Sequence, residues 1–522
     1  MNRFTRGCLA LSVTAALLMP AAYAAHPEMA TMNLVQNIGT IDPAKMTDYT
    51  EYMAVVNLYD GLTNVGPNGE ILPRLAESWK TSADGKVVTF TLKKDATFQD
   101  GTPVTAKDVV WTVKRLLALN LGPSHFFSGT INADSVSATD SHSVQFTLLK
   151  PSSTFLATTP LLFVLNSTLA EKNQDKGGWA EEYINSHAIG SGPYRLAGWQ
   201  RGSSMMLERF AAYAGGFPEH PLEKVRLLTT SDESTVKALA NKGELQLTSV
   251  YQSEETLSAL AKLPAYQIQT MSTGTGYYLK LNHQRAPTDD LNIRKAIAAA
   301  VDYETINTQL HPGDAASGPL SSLFKGAHLD TLKPQQLDMK LAAGYVAKSK
   351  YAGQKNIPLV LGYVSGTQFE EEVALLLQAS LESIGFKVTL QPDPWSRVTE
   401  IAGKPATTPN VNQIFFGPTY PSPDSVFYNQ YSSKSAGGWA SMSWINDKQV
   451  DKMIDDARNE LDEAKRNAIY QQLQQYLVDD QSDVYLQMTR YRFAIDKCLS
   501  PVPYIPMQSF YYDFSRYHWT CE

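Results

Sequence analysis

The sequence predicts an α/β protein built from more than one lobe, and three observations lead there. The chain has 522 residues, well beyond the ~250–300 at which a single hydrophobic core stops growing. From about residue 185 onward, strand and helix patterns alternate, as expected of an α/β lobe with a mixed sheet. Before that point, the stretch from about 62 reads as strands punctuated by the turn dipeptides Asn68-Gly69, Asp84-Gly85 and Asp100-Gly101.

Taken in order, "MNLVQNI" (32–38) reads as a strand. The segment after it carries Met53, Val56, Leu58 and Leu62 at roughly helical spacing. "KVVTFTLK" (86–93) is a strand between turn signals. "PVTAKDVVWTVKRLLAL" (103–119) starts a helix with Thr105 as N-cap and Asp108 at the capping-box position, its stripe being Val109, Val113, Leu116 and Leu117. "DSHSVQFTLLKP" (140–151) alternates as a strand through Val144, Phe146 and Leu148. "SGPYRLAGWQRGSSMMLER" (191–209) gives two strands around Arg201-Gly202. "KVRLLTT" (224–230) is a strand and "DESTVKALANKG" (232–243) a helix capped by Asp232 and ended by Gly243. "LQLTSV" (245–250) reads as another strand. Beyond "TGTGYYLKLN", the pattern predicts helices 289–302, 338–350 and 368–385, strands 357–364 and 387–391, and a strongly helical stretch over 446–479. There is no internal repeat and no low-complexity tract.

The N-terminus has the form of an export signal. Arg3 and Arg6 precede the apolar run "CLALSVTAALLM", and Ala22-Tyr23-Ala24 supplies a small-residue cleavage site, so the mature chain is expected to begin at Ala25. Cys8 lies before the apolar run and so does not fit a lipoprotein anchor. That leaves Cys498 and Cys521, which in an oxidising compartment favour a disulfide over two buried free thiols. Such a bridge would stabilise the fold by about 3 kcal/mol.

The formal net charge of −7 argues against a nucleic-acid partner. With 26 Tyr, 19 Phe and 8 Trp, aromatic side chains are plentiful; this suits a binding protein and equally a large aromatic core. Catalytic signatures are missing: no G-x-S-x-G, H-E-x-x-H, P-loop or C-x-x-C occurs. Gly190-x-Gly192 and Gly274-x-Gly276 lack the third glycine of a dinucleotide fingerprint and read as turns or hinges. The nine histidines form no i,i+4 pair, so no helical metal face is offered. No cofactor and no enzymatic activity is expected; an exported hydrolase is the weakest alternative.

Several stretches together carry a family resemblance. These are "LYDGL" (58–62), "ILPRLAESWKTSADGKVVTFTLKKDATFQDGTPVTAKDVVWTVKR" (71–115), "GSGPYRL" (190–196), "YYLKLNHQRAPTDDLNIRKAIAAAVDYETI" (277–306), "LLLQASLESIGFKVTLQPDPW" (375–395) and "DARNELDEAKRNAIYQQLQQYLVDDQSDVYL" (456–486). In this order they resemble the periplasmic solute-binding proteins of family 5, the peptide/nickel class that serves ABC importers. The resemblance implies a bilobal periplasmic-binding-protein fold (type II, large class) with an extra strand-rich subdomain. Residues 1–24 would be the signal peptide and 25–61, 181–276 and 481–522 lobe I. Residues 62–180 would form the extra subdomain and 277–480 lobe II. The protein would be a periplasmic monomer that closes on a solute and docks on the membrane permease.

The resemblance also implies a site. In the family's peptide binders an Asp–Tyr pair follows a lobe II strand, and the Asp holds the ligand's α-amino group. The corresponding loop here is "FFGPTYPSPDS" (415–425), in which Tyr420 matches the Tyr and Phe416 an upstream pocket aromatic, while Thr419 stands at the Asp position. A buried ammonium without a carboxylate is costly. Either Asp424 or Glu51 supplies the charge from elsewhere, or the ligand is a non-peptide solute such as an opine, a sugar-like compound or a metal chelate. Further expected lining residues are Trp395 and Arg397 in "PDPWSRV", Tyr49 and Tyr52 in "MTDYTEYM", Phe127 with its neighbour Phe126, and Trp439. A short peptide is the leading expectation.

Overall fold

A computed structural model describes residues 28–507 and 509–521; the expected leader and its cleavage site lie outside them. Two sheets organise the molecule. The first has four strands in the order Met29–Leu34, Lys224–Thr229, Ser204–Arg209, Tyr194–Gln200. The second has six, in the order Gly313–Ala315, Asp483–Asp496, Tyr266–Leu281, Val411–Phe416, Ile357–Val364, Phe386–Asp393. Its parallel pairs, 357–364 with 386–393 and with 411–416, make it the mixed sheet that the strand–helix alternation predicts. A separate antiparallel sheet, ordered Ala76–Thr81, Val87–Leu92, Ser143–Thr147, Val136–Asp140, lies within the strand-rich region.

Alternation along one strand shows how the six-stranded sheet is covered. Tyr277 and Leu279 are buried in one core with Ile293, Val373 and Leu377, whereas Tyr278 is buried in another with Phe427, Ile454 and Leu473. Successive strand residues face opposite sides, so helices pack on both faces of this sheet. A larger core joins Met32 and Leu34 to helix Tyr49–Leu58, to the strand-rich region and to the C-terminal aromatics Phe510, Tyr512 and Trp519.

Two strands run far longer than the sequence reading suggests. Tyr266–Leu281 has 16 residues and Asp483–Asp496 has 14. They pair antiparallel over nearly their whole length, with register shifts between Ser272 and Gly276 and between Tyr277 and Tyr278. Gly274-x-Gly276, expected as a turn or hinge, therefore sits at an irregularity inside a continuous strand. Val484 and Leu486 pack in the core of Tyr277 and Leu279, although they follow residue 481 in the segment expected in lobe I.

The helix starts agree closely with the sequence. Thr105 and Asp108 form the predicted capping box of helix Ala106–Leu119. Asp232 caps helix Glu233–Asn241, and Gly243 follows it at φ +72°. Two expectations are corrected. Residues 245–250 are not a strand; only Leu247 makes isolated bridges, to Met32 and Ile495. The 446–479 stretch is two helices, Lys448–Asn459 and Glu463–Asp479, because the Asp462 side chain accepts from the Lys465 N–H and opens a new helix.

Two features fix helix Tyr49–Leu58, one before its start and one at its end. Arg115, fully buried on helix Ala106–Leu119, donates to both carboxylate oxygens of Asp42 at 2.7 and 2.6 Å. Gly190 and Gly192 press on the last residue of helix Tyr49–Leu58: a Cβ at either would lie 2.3–2.5 Å from Leu58 backbone atoms. Only glycine allows that approach.

Candidate functional site

The cleft between the two main sheets holds three adjoining cavities. The largest, of about 600 Å³, is lined by Gln36, Asp48, Glu51 and Asp232 from one side and by Val364, Thr367 and Trp395 from the other. A small chamber of about 40 Å³ continues from it, walled by Tyr49, Tyr251, Glu370, Phe415, Trp395 and Trp439. A third, of about 270 Å³, is lined by Tyr52, His125, Phe126, Phe416, Thr419, Asn429, Lys434 and Trp439. The largest cavity is lined mainly by polar side chains with Trp395 as its aromatic, while the two smaller ones carry the aromatic walls of a small-ligand site.

Asp48 and Glu51 are placed by helix capping. Asp48 is the N-cap of helix Tyr49–Leu58 and accepts from the Thr50 and Glu51 N–H groups; Glu51 accepts back from the Asp48 N–H at 3.4 Å and from Thr47 N–H at 2.6 Å. The sequence D-Y-T-E is a capping box, and it points two carboxyls into the cleft. Burial raises the Asp48 carboxyl. Burial, and then the charge of Asp48, push Glu51 up to about 8.

Two tryptophans from the other side close on this segment. Trp395 Nε1 donates to Asp48 Oδ2 at 3.2 Å, and Trp439 Nε1 donates to the Thr47 carbonyl at 3.1 Å. The two indoles meet edge-on with centroids 5.1 Å apart, and Trp439 lies 5.9 Å from Phe416. Tyr49 and Tyr251 rings are 5.3 Å apart, and Tyr251 meets Phe415 at 5.8 Å. Behind them, Glu370, on the first turn of helix Gln368–Ser383, accepts from the Val364 N–H at 2.8 Å. Burial pushes its carboxyl up to about 8.

The 415–425 loop runs from the end of strand Val411–Phe416 into helix Pro423–Tyr431, whose N-cap is Ser422 and which has Pro423 in its first turn. Thr419 is held internally: its N–H donates to Ser425 Oγ at 2.7 Å and its hydroxyl shares a 2.9 Å hydrogen bond with the same oxygen. Asn429 Nδ2 donates to the Thr419 hydroxyl, and Asn429 Oδ1 pairs with His125 Nε2 at 2.9 Å across the cleft. Burial holds His125 below the usual imidazole range.

The expected site residues separate into two groups. Tyr49, Tyr52, Trp395, Phe416, Thr419 and Trp439 line the cavities, and Phe126 does so as well. The others are engaged elsewhere. Phe127 is fully buried in the larger core, and the cavity wall at that point is made by His125 and Phe126. Arg397 is exposed on helix Trp395–Ile401 and pairs with Glu400 at 2.7 Å, one turn along. Tyr420 is fully buried; its hydroxyl donates to Asp424 Oδ2 at 2.6 Å and its ring stands edge-on to Phe126 at 5.2 Å. Asp424 is fully buried, 3.5 Å from Arg458 Nε, and burial raises its carboxyl despite that partner. Arg458 in turn lies 4.0 Å over the Tyr428 ring and donates to the Phe126 carbonyl.

Asp48, Tyr251, Glu370 and His125 were not anticipated. Asp48 and Glu370 read in sequence as ordinary helix-start acids, and nothing local distinguishes a cap at the surface from one in a cleft. No group of three or more metal-ligating side chains occurs among the described residues. Cys498 and Cys521 are joined as a disulfide with Cα atoms 4.9 Å apart.

Residues 70–438 match the family described as bacterial extracellular solute-binding proteins, family 5. The chain is 26% identical over 508 residues to the probable D,D-dipeptide-binding periplasmic protein of Escherichia coli (strain K12), covering 95% of this chain and 96% of that protein. It is 27% identical over 472 residues to a dipeptide-binding protein of Bacillus subtilis (strain 168), covering 84% and 83%. Its fold superposes with a TM-score of 0.84 on a periplasmic binding protein of Helicobacter pylori solved in complex with the peptide STSA, at 21% identity and covering 94% and 98% of the two chains. With its match spanning most of its length, the chain belongs to the bacterial extracellular solute-binding proteins of family 5.

Proposed function

We propose that the protein is the periplasmic substrate-binding component of an ABC importer and captures a short peptide between its lobes. The observation that carries this is the cavity of about 600 Å³, walled on one side by the Asp48–Glu51 capping box and on the other by Trp395 and Thr367. A solute bound there touches both sides at once, so its binding favours the closed form by the difference in its affinity for closed and open states. The names of the relatives, a D,D-dipeptide-binding and a dipeptide-binding protein, and the peptide in the related solved structure support this ligand class.

Residues 25–61, 181–276 and 481–522 form one lobe in this reading, apart from the start of strand Asp483–Asp496, whose Val484 and Leu486 pack in the other lobe, 277–480; residues 62–180 are an extra subdomain on the first. The paired strands Tyr266–Leu281 and Asp483–Asp496 connect the lobes and carry the bending. The protein works as an exported monomer, binds without turnover, and hands the peptide to the membrane permease. No helix among the described residues is long and apolar enough to cross a membrane.

Native mass spectrometry of the mature protein purified from the periplasm, with a thermal-shift screen of peptides of two to five residues, tests this. The expected result is a bound peptide mass and stabilisation approaching about 2.7 kcal/mol at a hundred times the dissociation constant. Stabilisation by a non-amino solute and by no peptide overturns the peptide assignment.

A further inference from the structure

The two chambers nearest Trp395 have a one-sided charge. Asp48, Glu51, Asp232 and Glu370 line them, and no Lys, Arg or His does. Asp232 is an exposed helix cap at the rim. The other three are withdrawn from water, at 7%, 7% and 3% exposure, and no ion pair neutralises any of them among the described residues. Glu370 is the sharpest case: its carboxylate accepts one hydrogen bond, from the Val364 N–H. Gln36 lines both chambers, and its buried Oε1 accepts no hydrogen bond. Burying a charge without a partner is strongly unfavourable. Asp48 lines both chambers, Glu51 the larger and Glu370 the smaller; a row of acceptors along two adjoining chambers is complementary to a cation with several N–H donors.

The 415–425 loop cannot supply that complement. Thr419 carries no charge and is tied to Ser425, and Asp424 is committed to Tyr420 and Arg458. We propose that the cationic end of the ligand, its α-ammonium group, is held between Asp48 and Glu51 on one lobe and Glu370 on the other, with Trp395 and Tyr251 forming the walls. Recognition of the amino terminus thus moves from the loop after strand Val411–Phe416 to the N-termini of helices Tyr49–Leu58 and Gln368–Ser383. Because the acids come from both lobes, the ammonium itself links them on closure. This rests on the peptide reading above and adds to it the polarity of the bound chain.

The test uses the mature protein and a library of alanine-containing peptides of two to five residues, compared with the same library after N-acetylation, by titration calorimetry and thermal shift. Free-amine peptides are expected to bind at least about 100-fold more tightly than acetylated ones, the loss of a buried charged hydrogen-bond set. Glu370→Gln keeps an acceptor for the Val364 N–H and serves as the conservative variant. It is expected to narrow the free-to-acetylated ratio at least about tenfold while the apo protein still unfolds cooperatively. If Glu370→Gln does not fold, Glu51→Gln provides the same comparison. Equal binding of the two libraries to the wild-type protein overturns this inference and leaves the peptide reading standing. Binding of neither library overturns the peptide reading and the inference together.

Discussion

Trp395 Nε1 donates to Asp48 Oδ2 across the cleft, joining residues 347 positions apart in the chain. The bond ties the N-cap of the Tyr49–Leu58 helix to the start of helix Trp395–Ile401, and the indole forms part of the cavity wall. Trp395→Phe keeps an aromatic ring and removes this donor. It is expected to weaken peptide binding by about 1–2 kcal/mol, or roughly 5- to 30-fold, with little change in the apo melting temperature. Calorimetry and thermal melting of the variant check both halves.

Asp424 is expected to be a stability residue. Its carboxylate meets the Tyr420 hydroxyl and the buried Arg458 guanidinium. Asp424→Ala leaves Arg458 buried and unpaired, which costs on the order of 3–5 kcal/mol. Denaturant titration should show that loss, while the preference for free over acetylated peptides should survive in the fraction that folds.

The pH dependence follows from Glu370. Its folded-state carboxyl lies near 8 against an ordinary value of 4.5, so between these values the folded protein holds more protons than the unfolded chain. Stability from this group is therefore complete below about 4.5 and is lost as pH rises through about 8. The charge of Glu370 acts on the Tyr251 and Tyr277 hydroxyls, and Asp48 is the other acid lining its chamber. Glu370→Gln should flatten the apo stability curve over that window, as measured by denaturation at pH 5, 6.5 and 8. For binding the sign reverses. An ammonium favours the ionised carboxyls, so binding at pH 7 should release protons and tighten as pH rises toward 8. Calorimetry in buffers of different ionisation enthalpy measures the release.

The Cys498–Cys521 disulfide closes a loop with a sequence separation of 23. Replacing both cysteines by alanine is expected to cost about 3 kcal/mol in the chain-entropy model. Because neither cysteine lines the cavities, ligand affinity should stay within about twofold. A denaturation curve and a binding isotherm of the double variant test the separation.

Local signals made much of the fold legible. Thr105 with Asp108, and Asp232 with Gly243, mark helix ends by chemistry that acts within a few residues. The Tyr266–Leu281 strand was only partly visible, because its Thr-Gly-Thr-Gly interior weakens the apolar alternation and its pairing partner lies more than 200 residues away. The lining of the cavities was legible where aromatic residues flank turns, as at Trp395, Phe416 and Trp439. It was not legible where a long-range partner decides a side chain's use. Arg458 takes Asp424, Glu400 takes Arg397, and Phe127 turns inward beside Phe126. Asp48 and Glu370 were missed for the same reason, since an acid at a helix start comes to line a cavity only through segments distant in the chain.

A crystal structure of the mature protein with a bound short peptide would show where the ligand's amino group is held. The peptide is expected to be enclosed between the lobes, with its amino group within hydrogen-bond distance of Asp48, Glu51 or Glu370 and its first residues against Trp395. A peptide whose amino group sits instead at the Thr419–Tyr420 loop, or outside the cleft beside Arg397, would contradict it.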